Sequence, residues 1–226
     1  MLLNYPEASS WSFPQSVVMK HMIEIGEALR YIHGKDIIHR DIKSPNILIA
    51  ENGQAKLGDF GLSVQAKKLN TKKYSIVGTD CYYSPEMHKN KVIQKGKPND
   101  IWAFGLILVE MMMGTPLWEL DIDFGIRSIE DPNFISDFIC TRIPPKYDKD
   151  LKSLLKKMLN PQPELRINIE ELMKKKLIRQ QQSKLRLELN KEKKRSFKLQ
   201  RRISSFSSEE AQSEKEQVKE IKRIIN

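Results

Sequence analysis

The chain has 226 residues and a formal charge of +10, much of it near the C-terminus, and is long enough for one domain with an appendage. Its two cysteines, Cys81 and Cys140, are too few for a disulfide framework, and the N-terminus lacks the features of a secretory signal. The most apolar stretch, residues 101–114, falls short of the ~20 residues that cross a bilayer. We therefore expect an intracellular protein, cytoplasmic or nuclear, without a membrane span.

A long amphipathic helix is predicted near the start of the chain. Ser12 and Gln15 fit a capping box, and Pro14 suits a first helical turn. Gly34 stands where a helix would end, and His33 beside it is interpreted as a helix-end residue. Between these limits, apolar residues recur at helical spacing, namely Val18, Met22, Ile25, Leu29 and Ile32.

Short strands are predicted next, at residues 37–38, 47–49 and 55–57. The turn at residues 51–53 ends in glycine and predicts a hairpin between the second and third strands. A polar, lysine-bearing stretch then extends to about residue 78, and its length is typical of a functional loop.

Helices resume at residues 100–113 and 149–159, and the second has one apolar face. We therefore expect a mainly α fold of the α+β type, with a few short strands. Beyond about residue 170 the sequence is basic and then polar, which predicts a basic helix running into a coiled-coil, disordered or loosely helical tail.

Two polar loops contain residues suited to phosphoryl transfer. Asn46 and Asp59 could supply oxygen ligands to Mg²⁺, which prefers carboxylates together with phosphates. Asp41 could accept a proton from an attacking hydroxyl, and Lys43 could neutralise charge on the transferred group. Positioning, metal, base and cation are the parts that this reaction requires.

The same residues belong to an ordered set of motifs over residues 12–178. The set resembles the signature of eukaryotic protein kinases, which implies a kinase large lobe with ATP and Mg²⁺ as cofactors and protein substrates. Lys43, two positions after Asp41, resembles the serine/threonine branch, and residues 41–46 resemble NIMA-related kinases. The motifs are H-R-D-I-K-x-x-N at 39–46, D-F-G at 59–61, Y-S-P-E at 83–86, D-I-W-A-F-G at 100–105, and Arg166.

The resemblance implies a role for each matched residue. Asp41 would be the catalytic base, Lys43 would contact the γ-phosphate, and Asn46 and Asp59 would hold the metal ions. Thr79 would hydrogen-bond near Asp41 and position the substrate hydroxyl.

Three further matched residues have implied structural roles. Glu86 and Arg166 would form a buried ion pair. Asp100 would brace the catalytic loop by accepting hydrogen bonds from its backbone amides. Loss of one partner should therefore reduce stability first.

Arg40, next to Asp41, suggests regulation by phosphorylation. In kinases of this kind the arginine binds a phosphate on the activation segment, which an upstream kinase adds. Ser75 is the first candidate and Thr71 the second; the alternative is that both are unmodified loop hydroxyls. Ser204, in the basic sequence R-R-I-S-S, is a third candidate phosphosite.

The residues before Asp41 contain neither a G-x-G-x-x-G loop nor a strand lysine, so we expect the C-terminal lobe alone. Three explanations remain open: a fragment of an active kinase, a small lobe supplied by another chain, or a catalytically inactive, kinase-like binding or regulatory module. The predicted division is an N-terminal remnant at 1–11, the lobe at 12–178 and the tail at 179–226. The basic tail is expected to bind an acidic partner rather than nucleic acid, because no recognition motif accompanies its lysines.

Overall fold

The structure, a computed structural model, describes residues 12–69, 79–90, 96–203 and 219. Helices predominate in these residues, which confirms the mainly α prediction. The strands are β1 (Ile37–Ile38), β2 (Ile47–Ile49), β3 (Ala55–Leu57) and β4 (Val64–Gln65). The helices are α1 (Gln15–Gly34), α2 (Ala66–Leu69), α3 (Pro85–Asn90), α4 (Gly96–Met113), α5 (Leu117–Leu120), α6 (Phe124–Glu130), α7 (Phe134–Thr141), α8 (Lys149–Met158), α9 (Ile169–Met173) and α10 (Lys176–Ile203). Single 3₁₀ turns occupy Ser44–Asn46 and Asp80–Tyr82.

Helix α4 lies at the centre of the core. From Ile101 onward it is apolar on all sides except at Glu110, as expected of a helix surrounded by protein, and Trp102 and Phe104 are fully buried. Helix α4 begins at Gly96, four residues before the predicted start. Helices α1 and α8 pack against it, and the predicted apolar face of α8, which includes Leu151 and Met158, is buried.

The predicted β2–β3 hairpin is present and antiparallel, with Ile47 opposite Leu57. Gly53 has a φ of 72°, a left-handed conformation that glycine adopts without steric cost. The Lys20 side chain of α1 donates to the Gly53 carbonyl at 2.8 Å, which fixes the hairpin against the helix. The pairing of β1 with β4 was not predicted.

The predicted capping box of α1 is wrong. No side chain caps this helix, and Gln15 instead hydrogen-bonds Asp148 at the start of α8, with its Oε1 accepting from the Asp148 amide at 2.8 Å. The Gln15 side chain thus bonds to a distant residue and is not available to cap α1. The helix does end at Gly34, but the left-handed residue that follows is Asp36, at a φ of 55°.

Helix α10 has 28 residues and continues directly from the core. Ile178 is fully buried, and Gln182 donates to Glu27 of α1 at 2.8 Å. The basic helix predicted from the sequence is therefore present and is fixed to the rest of the fold. The proposed division after residue 178 falls inside α10 and stays a prediction, as does the character of the tail from residue 204.

Within the described ranges, none of the helices combines the length and apolar character needed to cross a membrane.

Candidate active site

Residues 39–46 form a loop between β1 and β2, and buried contacts hold it at both ends. His39 is fully buried, and its Nε2 donates to the Gly58 carbonyl at 2.9 Å. The Gly58 amide in turn donates to the Asn46 carbonyl at 2.9 Å. These two bonds join the loop to the segment that carries Asp59, so the fold brings the two predicted polar loops together.

The carboxylate of Asp41 lies at the centre of a small polar cluster. Lys43 Nζ is 2.8 Å from Asp41 Oδ2 and donates to Thr79 Oγ1 at 3.1 Å. The Thr79 hydroxyl is 3.4 Å from Asp41 Oδ1. Asp41 is buried, with 7% of its surface exposed, so its carboxylate has little freedom. The structure thus places the polar groups of Asp41, Lys43 and Thr79 within about 3.4 Å of one another.

Asn46 and Asp59 have the donor chemistry of a magnesium site completed by phosphates. The Asn46 Nδ2 donates to the carbonyl and to Oδ2 of Asp41, at 2.8 and 3.1 Å, so Oδ1 is the side-chain oxygen that could coordinate a metal ion. Asp59 is exposed, and its Oδ1 accepts from the Gly61 amide at 3.2 Å. In the part of the chain that the structure describes, no three His, Cys, Asp or Glu side chains form a metal site of their own. Mg²⁺ usually keeps waters and phosphates as ligands, so the residues fit such an ion when it arrives with a nucleotide.

Asp100 braces the loop as the motif implies. The carboxylate is fully buried and accepts from the amides of His39 at 2.9 Å and Arg40 at 3.0 Å. It also hydrogen-bonds His33 Nε2 at 2.8 Å. The His33 interpretation as a mere helix-end residue is therefore incomplete, because this side chain helps to hold Asp100. Arg40 has a φ of 73°, a strained conformation that the bond to Asp100 stabilises.

The predicted Glu86–Arg166 pair has bidentate geometry. Arg166 donates to the two carboxylate oxygens of Glu86 at 2.7 and 2.8 Å, and its side chain has no exposed surface. Two further bonds reach the Pro98 and Asn160 carbonyls, so the guanidinium ties α3 and α4 to the segment before α9.

A second buried polar group near the loop was not predicted. The Tyr82 hydroxyl donates to Glu110 of α4 at 2.8 Å and lies 3.1 Å from the Ser44 hydroxyl. Burial, followed by the negative charge of Glu110, raises the pKa of Tyr82, so this hydroxyl stays protonated and remains a donor. The sequence signal for it was a glutamate, Glu110, within the apolar stretch at residues 101–114.

The predicted phosphosites Thr71, Ser75 and Ser204 lie outside the described residues.

Cys81 lies in the 3₁₀ turn after Thr79. Burial, with a contribution from Glu110, raises the pKa of its thiol to about 11, which favours the inert thiol over a reactive thiolate.

A family model for the protein kinase domain matches residues 2–178. The chain belongs to the protein kinase domain family. Every residue of the Asp41 cluster, and the Asp100 and Arg166 contacts that support it, lies inside the matched region of this kinase-family chain.

Several named kinases are similar to the chain. An Aurora kinase of Schizosaccharomyces pombe is 32% identical over 162 residues, covering 72% of this chain and 43% of that protein. An Aurora/IPL1-related protein kinase 2 of Caenorhabditis elegans is 33% identical, covering 71% and 49% of the two chains. The serine/threonine-protein kinase PAK mbt of Drosophila melanogaster is 35% identical, covering 68% and 23%. The chain spans less than half the length of these relatives.

Proposed function

We propose that this protein is an ATP-dependent serine/threonine protein kinase, which transfers a phosphoryl group from Mg-ATP to protein hydroxyls. The observation that carries the proposal is the Asp41 carboxylate, held by Lys43, Thr79 and Asn46 next to the segment of Asp59. A base, a cation and two metal ligands at one edge of the fold have no joint use in a structural module.

Each side chain has a separate part in the proposed reaction. Asp41 accepts the proton of the substrate hydroxyl, which Thr79 helps to orient. Lys43, now paired with Asp41, would also contact the γ-phosphate and offset its charge. Asn46 and Asp59 would hold Mg²⁺, which neutralises negative charge on the phosphates when bound.

We also propose the finer assignments that the motifs support. The catalytic loop and the D-F-G motif correspond to the C-terminal lobe of a kinase, and residues 41–46 resemble NIMA-related kinases. An intracellular location, cytoplasmic or nuclear, would give the enzyme access to ATP and to protein substrates.

Regulation through the activation segment is part of the proposal. A phosphate on Ser75, or on Thr71, would pair with Arg40 through charge-assisted hydrogen bonds and order the loop near Asp41. Mass spectrometry of the active protein from its own cells tests this. An active pool in which neither residue is modified would contradict it.

The experiment for the catalytic proposal is phosphate transfer from γ-labelled ATP to a library of serine and threonine peptides, with protein purified from its own cells. Asp41→Asn should lower kcat by a factor on the order of 10² to 10⁴, because the base is lost. Asp137→Asn, an exposed aspartate on α7, is the matched control and should change nothing. Absence of transfer, together with no effect of Mg-ATP on Tm, would contradict the proposal and favour a kinase-like binding module.

A further inference from the structure

Helix α10 is strongly basic over most of its exposed surface, and Arg186, Lys193 and Arg195 add to this charge. A stripe at helical spacing is exposed along its outer surface, and we call it the outer stripe: Lys184, Leu187, Lys191, Lys194, Lys198 and Arg201. The only acids of the helix, Glu188 and Glu192, lie outside this stripe, and Glu192 is partly buried on the opposite side. The stripe extends for about 26 Å along the helix axis, and Leu187 lies among its five cations.

The fold covers the opposite face of α10 along the first part of the helix, up to Leu185. Ile178 is fully buried, and Leu185 packs against the core. The bond between Gln182 and Glu27 fixes the helix to α1. Because its inner face is covered along these residues, this first part of the helix can meet a partner only through the outer stripe and its flanks.

The lysines of the outer stripe are available for such a partner. Among the described residues, no ion pair involves Lys184, Lys191, Lys194 or Lys198. An open groove of about 630 Å³ lies at the start of the helix, and Lys174, Lys176, Arg179 and Lys184 line it together with Gln180 and Ser183. Cations and neutral donors around one groove suit a phosphate group.

Two large apolar side chains stand among these cations. Leu187 is 61% exposed and Phe197 is 60% exposed, and they are about 15 Å apart along the helix axis. Neither contributes to the core. Exposed apolar groups flanked by cations are suited to a surface that offers both negative charge and hydrocarbon.

We propose that the outer stripe of α10 binds the surface of an anionic lipid bilayer. Each exposed lysine or arginine would gain electrostatic attraction to the acidic headgroups, the groove would accept a headgroup phosphate, and Leu187 and Phe197 would enter the boundary with the acyl chains. A nucleic-acid duplex would satisfy the cations but would leave those two side chains without an apolar environment. A protein that wraps around the whole helix would first have to detach it from α1.

The test is flotation of the full chain with vesicles of phosphatidylcholine alone and with vesicles of equal parts phosphatidylcholine and phosphatidylserine. We expect binding to the anionic vesicles only, and weaker binding as salt is raised. Replacing Lys191, Lys194 and Lys198 together by Gln keeps good helix formers and should lower the vesicle partition coefficient on the order of a hundredfold. Circular dichroism checks that the helix remains.

A second triple variant is the matched control. Lys56→Gln, Lys149→Gln and Lys157→Gln together remove the same charge from exposed positions outside α10, and should change binding far less. An equal loss in both triple variants would overturn the proposal, as would equal binding to uncharged vesicles or no binding at all.

The apolar pair separates a bilayer from a nucleic acid. Leu187→Ser with Phe197→Ser should weaken vesicle binding and leave any affinity for duplex RNA unchanged. The protein could instead bind duplex RNA more tightly than anionic vesicles, with no effect of this double substitution. That result would assign the stripe to nucleic acid and refute the bilayer proposal.

Discussion

Replacing Asp100 with alanine should destabilise the fold and disorder the loop that carries Asp41. The carboxylate is fully buried and receives hydrogen bonds from three donors: the amides of His39 and Arg40 and the ring of His33. Asp100→Ala leaves all three donors without this acceptor. It also releases Arg40 from its left-handed φ of 73°.

The size of the effect follows from those bonds. A buried donor that loses its partner costs about 1 to 3 kcal/mol. With three donors, and some relief as the loop moves and water enters, the free energy of unfolding should fall by about 3 to 5 kcal/mol. That is a large part of the ~5 to 15 kcal/mol by which a typical protein is stable. Asp100→Asn keeps one acceptor oxygen and should cost less.

Urea unfolding measures the effect, with a midpoint shift of at least about 1 M expected for Asp100→Ala. Asp137→Ala, on the exposed side of α7, is the control and should stay within about 0.5 kcal/mol of the parent protein. A loss below about 1 kcal/mol for Asp100→Ala, or equal losses in the two variants, would refute the reasoning that Asp100 holds the loop.

Two further predictions concern reactivity and packing. Because burial raises the pKa of Cys81 to about 11, its thiol should react slowly with iodoacetamide at pH 8, and about tenfold faster for each pH unit up to that pKa. The exposed Cys140 should already be modified at pH 8. Peptide mapping that finds Cys81 modified first would contradict this. Gly125→Ala should lower the free energy of unfolding, measured in urea, by about 1 to 3 kcal/mol, because a Cβ there would lie 2.5 Å from the Tyr83 carbonyl oxygen. Gly34→Ala has open space around it and should be neutral or stabilising. Equal effects of the two variants would contradict the observed packing.

Local patterns in the sequence predicted the four longest helices, α1, α4, α8 and α10, and the strands β1 to β3, but not the six shorter helices or β4. The β2–β3 hairpin was predictable because its turn needs a left-handed residue, and Gly53 supplies one. The apolar spacing of α1 and α8 likewise marked the faces that the structure buries. These features depend on residues close together in the chain.

Contacts between distant segments could not be predicted in this way. Gln15 leaves the local capping motif for Asp148, which is 133 residues away. His33 binds Asp100 across 67 residues, and the pairing of β1 with β4 joins two-residue strands that carry almost no pattern. Local periodicity contains no information about which distant groups will meet.

The residues of the candidate site were predicted from the sequence, but their contacts were predicted only in part. The ordered motifs indicated Asp41, Lys43, Asn46 and Asp59, and the first three are in direct contact. Asp59 is linked to them through backbone bonds of Gly58 rather than through its own side chain. A metal ion bound to phosphate would join the Asp59 side chain to the other three. The spacing of these residues in the sequence does not determine that position.

The most direct test of the central claim is where a metal–nucleotide complex binds. Mn²⁺ with a non-hydrolysable ATP analogue, added to the isotope-labelled protein, broadens the NMR signals of nearby nuclei. The signals of Asp41, Asn46 and Asp59 should broaden first, and Asp59→Asn should weaken the effect. Uniform broadening, or selective broadening around Asp137 with Asp41 and Asn46 unaffected, would contradict it.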